Sequence, residues 1–303
     1  MLTSSLPAQT LLLIQGAAGE ESFREGFDRA ADTWVELAEQ ADLQTKRIQQ
    51  TEQGIEPADQ VVSWIAEQPE DSELWIVYIG HGTHSSTATK LNLVGKDLSV
   101  QDIAAALRAH TGNLIFIHGG SASAPFIPAL SGEKRVIITA TRSGSEQNYA
   151  RFGEYFAQAL ASDQSDLDRD GSVSLLEAYL SASQAVDSYY FEAGRLATEH
   201  ALIDDNGDGR GSQAELFDGL RAAQGVDIAR ADGRLARRVS LKPPDESIQL
   251  TSAQRELRNK LELQLEQLQG DRDSMSDAEY FRELEAILSE LSVLYLPSEA
   301  EDS

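Results

Sequence analysis

Five short apolar runs, rich in β-branched residues and separated by stretches of helical spacing, limit what the first half of this chain can fold into. Thr10–Gln15, Leu74–Ile79, Leu114–Ile117 and Val136–Thr139 read as buried strands, and Leu43–Gln49 as a weaker one. Between them, Glu21–Ala41 places Phe23, Phe27, Ala30, Trp34 and Leu37 on one helical stripe. Pro57 suits a first helical residue, and Ser99 with Asp102 has the pattern of a capping box ahead of Val100–Ala109. Phe152–Leu160 continues the alternation. Strands buried on both faces and joined by helices make an α/β fold with a mostly parallel central sheet and helices on both sides. Ligands of such sheets sit beyond the C-terminal ends of the strands, which directs attention to the loops that leave them.

Two of those loops carry chemistry. Leu74–Ile79 ends in Gly80-His81-Gly82, where flanking glycines let the backbone turn sharply and present an imidazole beside the Gly82 N–H. Leu114–Ile117 ends in His118-Gly119-Gly120-Ser121-Ala122-Ser123. If the two strands are neighbours, His81 as base, Ser121 as nucleophile and the Gly82 and Ser121 N–H groups as oxyanion donors meet on one rim, the arrangement that acyl transfer needs. Taken alone, a histidine between glycines is more often a turn residue, and His118 reads as packing or turn structure. Gly16-Ala-Ala-Gly19 lacks both the lysine of a phosphate-binding loop and the full dinucleotide fingerprint, which argues against nucleotide binding.

Tyr78-Ile79-Gly80-His81-Gly82 resembles the strand-end His-Gly motif of the legumain peptidases and, more distantly, of the caspases and gingipains. Ser121-Ala122-Ser123-Ala124-Pro125-Phe126 resembles the motif that carries their catalytic cysteine. Lys96-Asp97-Leu98-Ser99-Val100-Gln101-Asp102-Ile103 and Thr139-Ala140-Thr141 through Glu146 to Tyr149 are also similar to legumain-type segments. The resemblance spans roughly residues 9 to 160 and implies a caspase–hemoglobinase-like sandwich. The departures are Ser121 at the cysteine position and Ala124 where glycine is usual. A serine hydroxyl needs a well-placed base where a thiol is already partly ionised, and no aspartate or glutamate is evident to orient His81. The resemblance therefore implies a catalytically degenerate homologue acting as a binding or regulatory module. The alternative is an active endopeptidase or acyl-transfer hydrolase using Ser121 and His81.

Two acidic loops follow. Calcium takes six to eight oxygens, which an EF-hand loop supplies from positions 1, 3, 5, 7, 9 and 12 with glycine at 6. Asp166, Asp168, Asp170, the Ser172 carbonyl, Ser174 and Glu177 fit that pattern around Gly171. Asp204, Asn206, Asp208, the Arg210 carbonyl, Ser212 and Glu215 fit it again around Gly209, although Gly211 stands where an apolar residue usually pairs the loops. The loops start 38 residues apart, close to the spacing of a paired unit, with helices expected over Leu175–Tyr189 and Ala193–Ala201. One or two Ca²⁺ ions are expected.

Composition sets the remaining bounds. The chain has no cysteine among 303 residues, which excludes disulfides, thiolate metal sites and thiol catalysis. A net charge of −25 repels nucleic acid and anionic lipid and suits cations. No run approaches the length of a membrane span, and Met1–Pro7 lacks the basic start of a signal peptide. As written, the sequence reads as cytoplasmic, and a periplasmic or secreted chain that had shed its leader would read the same. The expected organisation is an α/β domain over 1–162, a helical region with the two loops over 163–229, a linker over 230–249 containing Pro243 and Pro244, and a C-terminal helical hairpin with an acidic tail over 250–303. The hairpin is read from a Thr251/Gln254 capping box ahead of Leu257, Leu261, Leu265 and Leu268, and a Ser276/Glu279 box ahead of Phe281, Leu284, Leu288 and Leu291. Its default role is packing on its own chain, with dimerisation or docking of a protein or peptide partner as the alternative.

Overall fold

A computed structural model describes residues 9–222, 231–241, 252–270 and 272–295. The Met1–Pro7 stretch, Pro243, Pro244 and Thr251 lie outside the described residues. The described chain forms two units, one of residues 1–224 with 232–242, the other of 225–231 with 243–303.

In the first unit the order is β1 (Gln9–Gln15), α1 (Glu21–Gln40), β2 (Gln44–Ile48), α2 (Pro57–Glu67), β3 (Glu73–Ile79), β4 (Gly82–His84), β5 (Thr89–Leu91), β6 (Leu98–Ser99), α3 (Val100–Ala106), β7 (Leu114–His118), α4 (Phe126–Leu130), β8 (Arg135–Thr139), α5 (Phe152–Ala161), α6 (Leu175–Glu192), β9 (Leu202–Asp204), β10 (Phe217–Asp218) and β11 (Arg221–Ala222). The main sheet runs β2-β1-β3-β7-β8-β9. Its first five strands are parallel and β9 closes the edge antiparallel to β8. Alternate residues of each strand feed the two faces, the period-two rule of a pleated strand. Leu11, Leu13, Trp75, Val77, Ile115, Ile117, Val136 and Ile138 pack with α1, α5 and α6. Leu12, Ile14, Leu74, Ile76, Tyr78, Leu114, Phe116 and Ile137 pack with α2, α3 and α4. This accounts for the unbroken apolar runs in the sequence. Ser99 caps α3, its hydroxyl accepting from the Asp102 N–H at 3.1 Å, a contact of about 1 kcal/mol.

Three expectations need correction. Ala193–Ala201 is not a helix: α6 stops at Glu192, Gly194 adopts φ +61°, and the chain then runs without helix to β9. The stretch after residue 163, read as a helical region with two loops, also supplies β9 to the main sheet, and its α6 shares the core of α5. Within the stretch read as a linker, Asp232–Lys242 belongs to the first unit. Asp205 accepts from the N–H groups of Gly233, Leu235 and Ala236 at 2.7–2.8 Å, and Asp232 in return accepts from the Asp205 N–H at 3.0 Å. The small sheet β4-β5-β6 was not foreseen.

In the second unit, α7 (Ser252–Gly270) and α8 (Asp277–Tyr295) pack on each other across a short turn. Ser276 and Glu279 form the expected box, the serine hydroxyl donating to the carboxylate at 2.6 Å. Among the described residues no helix is long and apolar enough to cross a membrane.

Candidate functional site

Parallel pairing of β3 with β7 brings the His81 and Ser121 turns out of one rim of the sheet, side by side. Their backbones touch. A Cβ on Gly82 would lie 2.3 Å from the Ser121 carbonyl oxygen, and one on Gly120 would lie 1.8 Å from the Gly80 carbonyl oxygen. The glycines of both turns are required by this approach. Tyr78, fully buried, places its hydroxyl within 2.6 Å of the His81 carbonyl and 3.0 Å of the Asn92 carbonyl. The Asn92 N–H donates to the His81 carbonyl at 3.0 Å, which fixes the histidine turn from the other side. The same Tyr78 hydroxyl fills the space at Gly16.

The serine turn is held as firmly. Ser123 and Thr141 are buried and bonded reciprocally, Ser123 N–H to Thr141 Oγ1 at 2.8 Å and Thr141 N–H to Ser123 Oγ at 3.0 Å. Ala122 is left-handed at φ +53°, a strained conformation for a residue with a Cβ, and its N–H donates to the Glu146 carbonyl at 2.8 Å.

Within this frame the imidazole and the hydroxyl have separate partners. The His81 ring is half-buried among Phe23, Phe27 and Tyr149, with ring centroids 5.1, 5.3 and 6.0 Å away. Burial lowers its affinity for a proton, and the Ala18 carbonyl beside it works in the opposite direction. The ring is therefore neutral at pH 7, the state a general base needs. Ser121 is 1% exposed. Its Oγ accepts from the Gly82 N–H at 3.3 Å and donates to the Gly82 carbonyl at 3.4 Å. Among the described residues no hydrogen bond joins Ser121 to His81. The Gly82 N–H, expected as an oxyanion donor, is engaged by Ser121.

Sequence reasoning read His118 only as packing or turn structure and missed the Ala18 carbonyl, which favours the charged form of His81. His118 is wholly buried between Tyr78 and Phe126. Its Nδ1 accepts from the Gly120 N–H at 3.1 Å, so the proton sits on Nε2, which has no partner. Burial pushes this imidazole down to about 3. Its immediate precedence to Gly119-Gly120 was the available signal, because a strand-end histidine can bond back to the turn it begins.

The two acidic loops differ. In the first, Asp166, Asp168 and Glu177 bring ligand oxygens within 4.8 Å of one another, the only such group among the described residues. Glu177 is 2% exposed. Its Oε1 accepts from Leu167 N–H and Asp168 N–H at 2.7 and 3.2 Å, and its Oε2 from Ser174 N–H and Oγ at 2.8 and 2.7 Å. Burial first, then the charges of Glu177 and Asp170, push the Asp168 carboxyl up to about 6. Asp170 turns to its own loop, accepting from Ser172 N–H and Oγ at 2.9 and 2.8 Å.

The second loop does not gather its acids. Asp204 accepts from Gly207 and Gly209 N–H, Asn206 from Asp208 N–H, and Asp208 from Arg210 N–H. The Ser212 hydroxyl donates to Asp232 at 2.6 Å. Glu215 lies in a short 3-10 turn beside a small cavity lined by Asp187 and His200. Among the described residues no bridge joins the two loops: Ser174 bridges to Ser240, and Ile203, just ahead of the second loop, bridges to Ser212. The first loop bonds to itself in the same way, Asp166 accepting from the Asp170 and Gly171 N–H groups at 3.1 and 3.0 Å.

No family model matches this chain, and no curated protein matches it. Among solved structures, the Drosophila initiator caspase Dronc matches with a TM-score of 0.45 and 14% identity, over 68% of this chain and 84% of that one. Caspase-1 from Spodoptera frugiperda matches with a TM-score of 0.45 and 11% identity, over 66% of this chain and 86% of that one. At these values the chemistry of the site rests on its own residues.

Proposed function

We propose that this chain is a catalytically degenerate relative of the legumain and caspase peptidases that serves as a binding or regulatory module and takes Ca²⁺ at its first acidic loop. The observation that carries the first half is the partnering of Ser121. Its hydroxyl is buried and bonded to Gly82 on both sides, while the His81 ring lies among aromatic rings. To act as a nucleophile, Ser121 must leave both bonds, meet the imidazole and free the N–H that is to receive the oxyanion. The convergence of Asp166, Asp168 and Glu177 supports the second half. Three carboxylates held this close repel one another, and a hard cation with oxygen preference relieves that repulsion. Asp170, Ser172 and Ser174 complete the set in the loop pattern.

The second reading is an active serine-type hydrolase. It is favoured by the neutral state of His81 and by the meeting of both turns on one rim. A fluorophosphonate probe decides between them. No labelling, with or without Ca²⁺, is the outcome expected of the module. Labelling that vanishes in both Ser121→Ala and His81→Ala establishes the hydrolase instead.

A further inference from the structure

The non-helical segment 195–201 ties the acidic loops to the Ser121 turn. The Thr198 hydroxyl lies 2.9 Å from the Tyr190 hydroxyl. The Glu199 carboxylate, 2% exposed, accepts from the N–H groups of Arg151 and Phe152 at 2.8 and 3.0 Å, capping the start of α5. His200 Nδ1 meets Glu146 Oε1 at 2.7 Å. The Tyr179 hydroxyl lies 3.0 Å from the Ala201 carbonyl and 2.9 Å from the Ser212 carbonyl. Tyr179 stands two residues beyond Glu177 in the first turns of α6. At the other end, Glu146 accepts from the Arg142 N–H through Oε2 at 3.0 Å and holds the left-handed Ala122 through its own carbonyl at 2.8 Å.

We propose that Glu146 and His200 are positioning residues through which the state of the first acidic loop sets the geometry of the Ser121 turn. The trigger rests on the calcium reading above, while the mechanical link does not. A cation at Asp166, Asp168 and Glu177 changes the partners of Glu177. Glu177 opens α6, and α6 carries Tyr179. Tyr179 holds the end of the strap, and His200 in the strap holds Glu146. The element with two states is the Ala122 peptide, kept strained while Glu146 is fixed and free to relax when it is released. A contiguous chain of contacts licenses the idea, and a coupling measurement must carry it.

The test is hydrogen exchange of the Ala122 amide, read by NMR on the full chain, with the Leu114 amide of β7 as control. In the unsubstituted protein Ca²⁺ is expected to slow Ala122 exchange about threefold or more through added local stability. In His200→Ala, Ca²⁺ still raises the melting temperature, but Ala122 no longer responds. Glu146→Gln, which keeps an acceptor for His200, retains the response, and Glu146→Ala loses it. A full Ala122 response in His200→Ala overturns the proposal, and so does a calcium-bound protein whose Ala122 is indifferent to the ion. If Ca²⁺ gives no thermal shift, the calcium reading fails and the link is judged without it. His200→Ala must then speed Ala122 exchange about tenfold while leaving Leu114 alone, as release of one local contact requires. An unchanged rate overturns the link.

Discussion

The Ser121 hydroxyl sits 3.3 Å from the Gly82 N–H and 3.4 Å from the Gly82 carbonyl, so a single backbone residue accounts for its hydrogen bonds. Removing that hydroxyl leaves a buried donor and acceptor short of a partner. Ser121→Ala is expected to lower stability by about 1–2 kcal/mol. Gly120→Ala is expected to cost about 3 kcal/mol or more, because its Cβ collides with the Gly80 carbonyl and neither backbone can yield. Urea unfolding of the two variants beside the parent checks the order, and an undisturbed Gly120→Ala protein would contradict the contact between the turns.

His118 sets an acid limit. Its pKa falls from 6.5 in the unfolded chain to about 3 in the fold, so the unfolded state binds the proton first. Stability is fully present above about pH 6.5 and is lost as pH falls toward 3, by an amount on the order of 5 kcal/mol. His118→Asn keeps an acceptor for the Gly120 N–H but cannot titrate. Its denaturation midpoints should be flatter than those of the parent across that acid range, and parallel curves would count against the assignment.

Asp232 acts with the opposite sign. Burial pushes its carboxyl up to about 7 from an ordinary 3.8, against the hydrogen bond from Ser212. The folded state then holds the extra proton, and this group's contribution declines as pH rises from about 4 to 7. Asp232→Asn mimics the protonated form. In EDTA it should exceed the parent in stability at pH 8 and match it more closely at pH 5, as read by melting temperature.

Calcium binding should be linked to protons at Asp168. With its carboxyl at about 6 in the cation-free loop, binding below that pH must displace a proton. Affinity is expected to fall by up to about tenfold per pH unit below 6, with little change between 7 and 8. Glu177→Gln should abolish the binding. Calorimetry across pH decides both points, and millimolar Ca²⁺ without heat or thermal shift removes the claim.

The sequence displays the sheet because β1, β3, β7 and β8 are buried on both faces, and continuous apolar runs such as Leu11–Ile14 and Trp75–Ile79 are the direct record of that burial. It displays the two turns because glycine is the only residue that fits where they touch. Other features depend on distant partners and leave no local trace. Ala193–Ala201 has helix-favouring residues, yet Glu199 is claimed by the start of α5 and His200 by Glu146, contacts that outweigh a propensity of tenths of a kcal/mol per residue. Asp232–Lys242 is polar enough to read as a linker, yet the reciprocal bonds with Asp205, the burial of Ala236 and Leu241 and the Leu175 N–H bond to the Val239 carbonyl make it part of the first unit. Strands of two or three residues, such as β4 and β6, are too short for any periodicity to register.

Gly119 lies against Gly153 as Gly120 lies against Gly80, main chain on main chain. The rim of this sheet is therefore shaped by atoms that every amino acid possesses, and the groups that would react are appended to it. A side chain exchanged on this rim is therefore expected to cost little beyond its own hydrogen bonds, whereas a Cβ added to one of its glycines strikes the frame itself.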